Sequence, residues 1–466
     1  MNTVPNATEL AALYRAKKLS PVEATQAALA RIDKFNPAVN AFVLIDAEGA
    51  LEAARASERR FAEGEPLGAL DGIPTTIKDN VPAKGWPTRK GSATTDETAA
   101  PEDAPAVARM REQGAVFLGK TTLPEYGWIG ACHSPLTGIT RNPWKLDRTT
   151  GGSSGGAAAA ASLNLGSLHL GTDGAGSIRI PSAFTGVFGI KPSYGRVPAY
   201  PASPFTVLAH QGPLTRTVSD AAMMLGAISQ PDMRDMTAWN SPAKEFLNGL
   251  EGGVRGLRIA WSPRLGYAKN LDSDVAAAAE KAAHVFSSLG AHVEEADPGF
   301  AEPLDIIRTI WGAVSAYIVD TTPANLRAKM DAGFLKVADG GRKVSLAQYL
   351  TAMTARTELA RHMLGFHERY DLLLTPQMPI GALEAGRVTP ADGRFGNEWI
   401  NWSPYTYPFN LTQQPAASVP CGFTSEGLPI ALQIVGPARK DDLVLRAARA
   451  YESAHPFAML DAPKRS

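Results

Sequence analysis

Apolar and polar positions follow a helical period through the first sixty residues of this chain. Leu29, Ile32 and Phe35 fall on one stripe at helical spacing. Residues 20–23 read SPVE, which predicts a helix start, because the serine would cap the helix, the proline fits its first turn and the glutamate completes a capping box. We expect residues 1–60 to form a helical arm whose apolar stripe is a packing surface.

From residue 70 onwards, short apolar runs alternate with helical patterns. Strands are predicted at residues 73–77, 116–118, 257–261, 372–374 and 430–435, and helices at 104–113 and 274–289. This alternation indicates an α/β fold whose sheet takes strands from both halves of the chain. Pro and Gly are spread throughout, and neither a long polar linker nor a fixed-period repeat marks a boundary, so we expect a single domain.

Composition narrows the class of protein. A chain of 466 residues with 44% hydrophobic residues can bury a large core, and its 46 basic and 46 acidic residues give no indication of nucleic acid or an anionic membrane as a partner. Cys132 and Cys421 are too few for a disulfide framework and lack zinc-site spacing, which favours a reducing compartment. The first residues resemble no secretory signal and no apolar run reaches membrane length, so we expect a cytoplasmic protein without a membrane partner.

A glycine-serine segment, GGSSGG at residues 151–156, runs directly into five alanines and therefore predicts a loop that feeds a helix N-terminus. No Lys-Ser or Lys-Thr follows the glycines, as a phosphate-binding P-loop requires. Gly151, Ser153 and Gly155 also match G-x-S-x-G, the nucleophile elbow of α/β-hydrolases. An elbow needs an apolar strand before it, whereas residues 145–150 are polar and predict a turn.

Two further hydrolase patterns are incomplete. Ser241 and Lys244 satisfy the S-x-x-K pattern of penicillin-binding proteins, but the S-D-N and K-T-G elements are absent. His362 and His367 are five residues apart without the H-E-x-x-H arrangement of zinc hydrolases. We therefore expect no metal site.

Several segments in a fixed order resemble the amidase signature family. They are TIKDN at 76–80, GGSSGG at 151–156, GTDGAGSIRIP at 171–181, GIKPSYGRV at 189–197, GPLTRTV at 212–218 and QIVGP at 433–437. The resemblance spans nearly the whole chain and implies a single α/β domain in which a large mixed β-sheet is sandwiched between layers of α-helices. Within residues 1–466 it implies a signature core with the catalytic residues at 70–220, after the arm at 1–60, and the rest of the domain with the walls of the substrate pocket at 221–466.

The resemblance also implies a Ser-Ser-Lys triad. Ser177 would be the nucleophile, Ser153 a bridging serine that follows a cis peptide bond, and Lys78 the base. The family's spacing selects Ser153 over Ser154, which becomes a supporting residue. Three residues are implied to support the catalytic loops without taking part in the chemistry, namely Ser154, Asp173 and Arg179.

Physical chemistry places demands on such a triad. A serine hydroxyl is a weak nucleophile unless a base takes its proton, and a lysine is a base only when neutral. Burial can lower a lysine pKa by about 3 to 5 units. Lys78 is therefore expected to be buried without a carboxylate partner, with Asp79 on the opposite side of the strand. The substrate oxyanion would be bound by backbone N–H groups of Gly174, Ala175, Gly176 and Ser177.

The sequence gives fewer indications of substrate specificity than of catalytic residues. Gly127 and Trp128 occupy the family position that borders the substrate, and Trp128 with Ile129 indicates an apolar or aromatic acyl group, although core packing explains Trp128 equally well. An aromatic group could form a pocket wall or pack beneath a loop; it comprises Trp399, Trp402, Tyr405, Tyr407 and Phe409. Ala175 and Gln413 stand where the family more often has glycine, and Ala175 is tolerable if its φ is negative.

The resemblance implies an amide hydrolase that acts on a small-molecule amide through an acyl-enzyme, with no metal, no organic cofactor and no nucleic acid, and it leaves a homodimer open. One alternative is the amidase subunit of a tRNA-dependent amidotransferase, although residues 205–213 look more like free-standing amidases. Another is hydrolysis of an ester, hydrazide or anilide. A noncatalytic scaffold is disfavoured by the intact Ser177, Ser153 and Lys78.

Overall fold

The computed structural model describes residues 4–240 and 244–464. Ser241, Pro242 and Ala243 of the S-x-x-K match lie outside the described residues, as do the first three residues of the N-terminal segment considered above. Across the described ranges, no helix combines the length and the apolarity needed to cross a membrane.

The described residues form helices and strands in alternation after an N-terminal arm. The helices are α1 (Ala7–Arg15), α2 (Pro21–Val39), α3 (Ala47–Glu63), α4 (Pro105–Glu112), α5 (Gly155–Ser162), α6 (Arg179–Thr185), α7 (Val218–Ile228), α8 (Ser273–Ser288), α9 (Leu304–Thr321), α10 (Ala332–Gly341), α11 (Leu346–Arg369), α12 (Pro408–Leu411) and α13 (Asp441–Ala454). The strands are β1 (Phe42–Ile45), β2 (Pro74–Lys78), β3 (Val116–Thr121), β4 (His133–Ser134), β5 (Gly138–Ile139), β6 (Arg141–Asn142), β7 (Lys145–Thr149), β8 (Leu168–Asp173), β9 (Phe188–Lys191), β10 (His210–Thr215), β11 (Arg258–Trp261), β12 (His292–Glu295), β13 (Leu372–Pro376), β14 (Ala416–Phe423) and β15 (Pro429–Val435).

Eleven strands form one mixed sheet in the order β1-β3-β2-β8-β10-β9-β14-β15-β13-β11-β12. Strands β2, β3 and β8 run parallel, as do β11, β12 and β13, whereas β9, β10, β14 and β15 pair antiparallel with their neighbours. Strands from both halves of the chain meet where β9 pairs with β14. The predicted α/β class, with a single large mixed sheet in one domain, is confirmed.

Helices cover both faces of the sheet because its strands are apolar on both sides. In β13, Leu372 and Leu374 join the cluster that includes residues of α7, α8 and α13, whereas Leu373 joins the cluster that includes Met363 and Phe366 of α11. Successive side chains of a strand point to opposite faces, so these clusters lie on opposite sides. The helical layers implied by the resemblance are present.

Helix α2 of the helical arm begins where the SPVE segment predicts. The Ser20 hydroxyl accepts a hydrogen bond from the Glu23 N–H at 3.1 Å, and the Glu23 carboxylate accepts one from the Ser20 N–H at 2.8 Å. Ile32 and Phe35 of α2 are buried in a core with Leu29 partly buried beside it. Both the capping box and the packing role of the stripe are confirmed.

One local prediction is wrong. Residues 145–149, expected to be a turn, form the short strand β7, which pairs with β6 through Arg141 and Asn142. The strand is polar because it lies outside the main sheet and is partly exposed. The loop that follows leads into α5 at Gly155, as predicted from the alanine run.

Candidate active site

Lys78 ends β2, the third strand from one edge of the sheet, and its side chain is fully buried. Its Nζ lies 2.8 Å from the Ser153 Oγ, 2.9 Å from the Ser154 Oγ and 2.9 Å from the Thr172 Oγ1. Thr172 belongs to β8, which pairs in parallel with β2. The register of these two strands therefore brings the lysine to the segment at 171–181, and its contacts with Ser153 and Ser154 join it to the segment at 151–156.

The side-chain partners of the Lys78 Nζ are hydroxyl groups, and none of these partners is a carboxylate that would form an ion pair with it. Burial lowers the pKa of Lys78 to about 7, while Cys132 and Asp173 act weakly in the opposite direction. The adjacent Asp79 turns away and forms a buried ion pair with Lys120 at 3.1 Å. A lysine in this environment is partly neutral near pH 7.

Ser153 and Ser177 come together at the wall of one cavity. The peptide bond between Gly152 and Ser153 is cis. Both serine side chains are almost buried but line the cavity. The Ser154 N–H donates to the Ser177 carbonyl at 3.0 Å, so the two loops are tied together by their backbones. Ser154 also donates its hydroxyl to the Thr172 carbonyl at 3.0 Å.

The Ser177 loop is held by a buried ion pair. Arg179 Nε lies 3.0 Å from Asp173 Oδ2, and both side chains are fully buried. Burial alone would raise the pKa of Asp173, but the Arg179 guanidinium, with Lys191 and Asn410 nearby, holds it below its usual range. Arg179 also donates to Gln433 of β15 at 2.8 Å. This arrangement fixes the turn between β8 and α6.

The backbone amides of this turn differ in their availability. The Gly176 N–H donates to Asp173 Oδ1 at 2.7 Å, so Gly176 is not free to bind an oxyanion, contrary to our expectation. The N–H groups of Gly174, Ala175 and Ser177 donate no hydrogen bond within residues 4–240 and 244–464. Ala175 does not have a positive φ, so its methyl group causes no backbone strain.

A cavity of about 410 Å³ opens over the two serines. Its floor is formed by polar and small residues, with Gly127, Thr172 and Gly174 beside Ser153 and Ser177. Its walls come from the loop at residues 199–205, from the end of α9 and from other residues, including Lys90, Tyr126, Phe205, His210, Gln211, Trp311, Tyr317, Ile318 and Thr322. The wall is therefore rich in aromatic side chains.

The structure answers two questions about specificity, namely whether Trp128 and the aromatic residues at 399–409 line the cavity. Trp128 does not line the cavity: its indole is 3% exposed and stacks on Phe334 of α10 with ring centroids 6.1 Å apart. Ile129 is buried beside it. The five aromatic residues at 399–409 are also buried and outside the cavity wall, with Trp402 stacked on Phe184, so packing is the correct interpretation.

Sequence reasoning missed most of the cavity wall. Residues 199–205 lie between two signature segments but belong to neither, and α9 is far from the 70–220 core in sequence, so their approach to Ser177 depends on tertiary packing. His210 also lines the cavity, although no local pattern marked it. Gln413, at a position where the family favours glycine, adopts a positive φ of 64° and donates its amide to the Val207 carbonyl at 3.0 Å.

Comparison with known proteins gives full-length similarities. A family model described as Amidase matches residues 23–445. An acylamidase of Rhodococcus erythropolis is 37% identical over 461 residues, with 97% of this chain and 96% of the relative covered. A glutamyl-tRNA(Gln) amidotransferase subunit of Myxococcus xanthus (strain DK1622) is 36% identical over 490 residues, with 98% of each chain covered. The crystal structure of a bacterial aryl acylamidase belonging to the amidase signature enzymes superposes with a TM-score of 0.90 at 32% identity, covering 97% of this chain and 96% of that chain.

Proposed function

From the premise that this chain belongs to the amidase family and is an amide hydrolase, we propose that it cleaves a carboxylic amide through an acyl-enzyme on Ser177. Ser153 is the bridging serine and Lys78 the base. The observation that carries the proposal is the fully buried Lys78, whose Nζ lies 2.8 Å from the Ser153 Oγ at the wall of the cavity that also holds Ser177.

Acylation begins with two proton transfers. Neutral Lys78 takes the proton of Ser153, and Ser153 takes the proton of Ser177, whose Oγ attacks the amide carbon. The resulting oxyanion is bound by the free N–H groups of Gly174, Ala175 and Ser177, each worth about 3 to 4 kcal/mol in comparable sites. The C–N bond then breaks as Ser153 delivers its proton to the leaving amine and regains one from Lys78, which is neutral again.

Deacylation repeats these steps with water. Water attacks the Ser177 ester as its proton passes to Ser153 and from Ser153 to Lys78, and collapse of the intermediate returns that proton to Ser177 and releases the carboxylic acid, which ionises to the carboxylate. Asp173 and Arg179 do not take part in this chemistry. They hold the turn that presents the amides, through the 3.0 Å ion pair.

Kinetics of three variants test the proposed roles. Ser177→Ala, Ser153→Ala and Lys78→Ala should each lower kcat/KM for an amide by about 10³-fold or more, because triad members act as a unit. Ser418→Ala is the matched control, since Ser418 is a fully buried serine of β14 that does not line the cavity. Wild-type hydrolysis by Ser177→Ala would refute the proposal.

The substrate is proposed to carry an aryl or alkyl group beside the amide. The cavity places Tyr126, Phe205 and Trp311 on its wall, and Phe205 packs against Trp311 with ring centroids 4.3 Å apart. The structural similarity to an aryl acylamidase supports the same choice. A screen of aryl and alkyl amides, esters, hydrazides and anilides, with identification of both products, tests it and separates the related acyl substrates.

A second candidate is the amidase subunit of a tRNA-dependent amidotransferase. The 36% identity to such a subunit over 98% of both chains favours it. In that case the purified chain would need partner subunits to act. Hydrolysis of simple amides by the chain alone supports the free-standing enzyme, whereas activity that appears only with partner subunits supports the second candidate.

A further inference from the structure

Four side chains form one hydrogen-bonded chain that runs from the protein interior to the cavity. Glu125 Oε1 lies 2.6 Å from the Ser92 Oγ, the Ser92 Oγ lies 2.7 Å from the Thr94 Oγ1, and the Thr94 Oγ1 lies 3.0 Å from the Tyr126 hydroxyl. Glu125 and Ser92 are fully buried, and Thr94 and Tyr126 line the cavity.

Glu125, at the buried end of this chain, sets the direction of every hydrogen bond in it. Its Oε1 accepts the hydroxyl hydrogen of Ser92, and its Oε2 already accepts the Asp331 N–H at 2.6 Å. Each hydroxyl has a single hydrogen to donate. Ser92 donates to Glu125, so Ser92 must accept from Thr94, and Thr94 must in turn accept from Tyr126. The hydroxyl hydrogen of Tyr126 is therefore directed at the Thr94 Oγ1 and is not available to a substrate.

We propose that Tyr126 binds substrate as a hydrogen-bond acceptor only, so that the enzyme prefers amides carrying a hydroxyl or N–H donor that reaches this part of the wall. The proposal rests on the proposed function, because it takes the cavity over Ser177 as the substrate site. Its basis is the fixed direction of the chain from Glu125 through Ser92 and Thr94.

Another tyrosine of the same cavity provides a contrast. Tyr317 lines the cavity but makes no side-chain hydrogen bond to any group in the described part of the chain, and it is 60% exposed. Its hydroxyl can rotate and either donate or accept. Tyr317 therefore cannot discriminate a donor from an acceptor on the substrate, whereas Tyr126 can.

The first test compares two series of amides that differ in one group. In one series, chains of increasing length end in a hydroxyl group. In the other series, the same chains end in a methoxy group. At the length that reaches Tyr126, the wild-type enzyme should prefer the hydroxyl compound by about three- to tenfold in kcat/KM, the range expected for one neutral hydrogen bond. Tyr126→Phe should abolish this preference, while Tyr317→Phe, the matched control, should keep it.

The second test reverses the chain with an isosteric change. In Glu125→Gln, the amide oxygen must accept the Asp331 N–H, so the amide nitrogen faces Ser92 and donates to it. Ser92 then donates to Thr94, Thr94 donates to Tyr126, and the Tyr126 hydrogen becomes free to enter the cavity. The methoxy compound should now bind at least as well as the hydroxyl compound.

The outcomes separate this proposal from the proposed function. Binding of both compounds to Ser177→Ala, measured by calorimetry, does not require hydrolysis. A hydroxyl preference in binding that is lost in Tyr126→Phe supports the acceptor role even if the mechanism on Ser177 is wrong. Equal binding of the two series at every length, or a preference that survives in Tyr126→Phe, overturns it. If Glu125→Gln fails to fold in a thermal unfolding assay, the Tyr126→Phe result decides alone.

Discussion

At the scale of single residues, the proposed mechanism depends on the protonation of Lys78. Its side chain is fully buried among hydroxyl groups, and this burial lowers its pKa to about 7. Asp79, the nearest carboxylate in sequence, is held by Lys120. A water-exposed lysine would remain charged at neutral pH and could not accept a proton.

The pH profile should therefore report Lys78. Only the neutral amine is a base, so kcat/KM should fall about tenfold per pH unit below about 7 and reach a plateau above it. Steady-state kinetics between pH 5 and 9 on an amide without ionisable groups measures this. A flat profile across that range would remove Lys78 from the proton transfer.

Gly127 has no side chain at a point where one would meet Ser153, the proposed bridging serine. Its φ is +73°, and a Cβ there would lie 3.0 Å from the Ser153 Oγ. Gly127→Ala should lower kcat by about tenfold or more, because displacement of a catalytic group by a fraction of an ångström disturbs the reacting geometry.

Gly138→Ala is the matched control for that change. Gly138 has a similar φ of +71°, but a Cβ there would meet no atom closer than 4.0 Å. Both variants should lose about 1 to 2 kcal/mol of stability through the left-handed backbone, and only Gly127→Ala should lose activity. Equal kcat values for the two variants would contradict the placement of Gly127 beside Ser153.

At the scale of elements, the junction between β8 and α6 shapes the loop that carries Ser177, the proposed nucleophile. Asp173 ends β8 and Arg179 begins α6, and their buried ion pair spans the turn that holds Ser177. Asp173 also accepts the N–H groups of Gly176 and Ile178. The short helix is thus anchored at its start by a strand residue.

Removal of one partner of this ion pair should strongly lower the free energy of unfolding. Arg179→Met should lower the free energy of unfolding by about 3 to 5 kcal/mol, because the Asp173 carboxylate would stay buried without a counter-ion. Arg361→Met, which breaks the exposed pair with Glu358, should cost less than about 1 kcal/mol. Urea denaturation measures both, and similar losses would contradict the structural role of Arg179.

The sequence predicts those elements whose signals are local. The capping box at Ser20 and the apolar strands around Lys78 follow from neighbouring residues, and the structure has them at those places. Strand β7 was not predicted because it has no apolar pattern. It is a strand because it is hydrogen-bonded to β6. Trp128 was ambiguous for a similar reason, since its burial against α10 depends on packing between distant segments.

In the candidate site, too, some features follow from local sequence motifs and others only from the tertiary structure. Motifs give Lys78, Ser153 and Ser177 as candidates, and the structure brings all three to one place. The engagement of the Gly176 amide by Asp173 and the aromatic wall from α9 could not be read from any motif, because both depend on the path of the chain in three dimensions.

At the scale of the whole molecule, the two halves of the chain complete one another. Strand β9 pairs with β14, and β13 joins the sheet through β15. Arg179 reaches Gln433 of β15 at 2.8 Å. The catalytic loop therefore depends on strands that follow it by more than two hundred residues in the chain.

A chain that ends at residue 411 should not retain a folded catalytic half. It would lack β14, β15 and α13, so β9 would lose one of its two neighbours, and β11, β12 and β13 would lose their connection to the sheet. We expect no cooperative thermal transition by circular dichroism and no amide hydrolysis. A control that ends at residue 460 keeps all the strands and should unfold cooperatively. A folded and active 411-residue chain would contradict this account.

The most direct test of the central claim is to locate the acyl group on the enzyme. Wild-type protein is mixed with an amide or ester whose acyl group turns over slowly, quenched in acid, digested and mapped by mass spectrometry. The account predicts a single acyl adduct on Ser177 that is absent from Ser177→Ala. An adduct on Ser153 or on any other residue, or turnover that continues in Ser177→Ala, would contradict it.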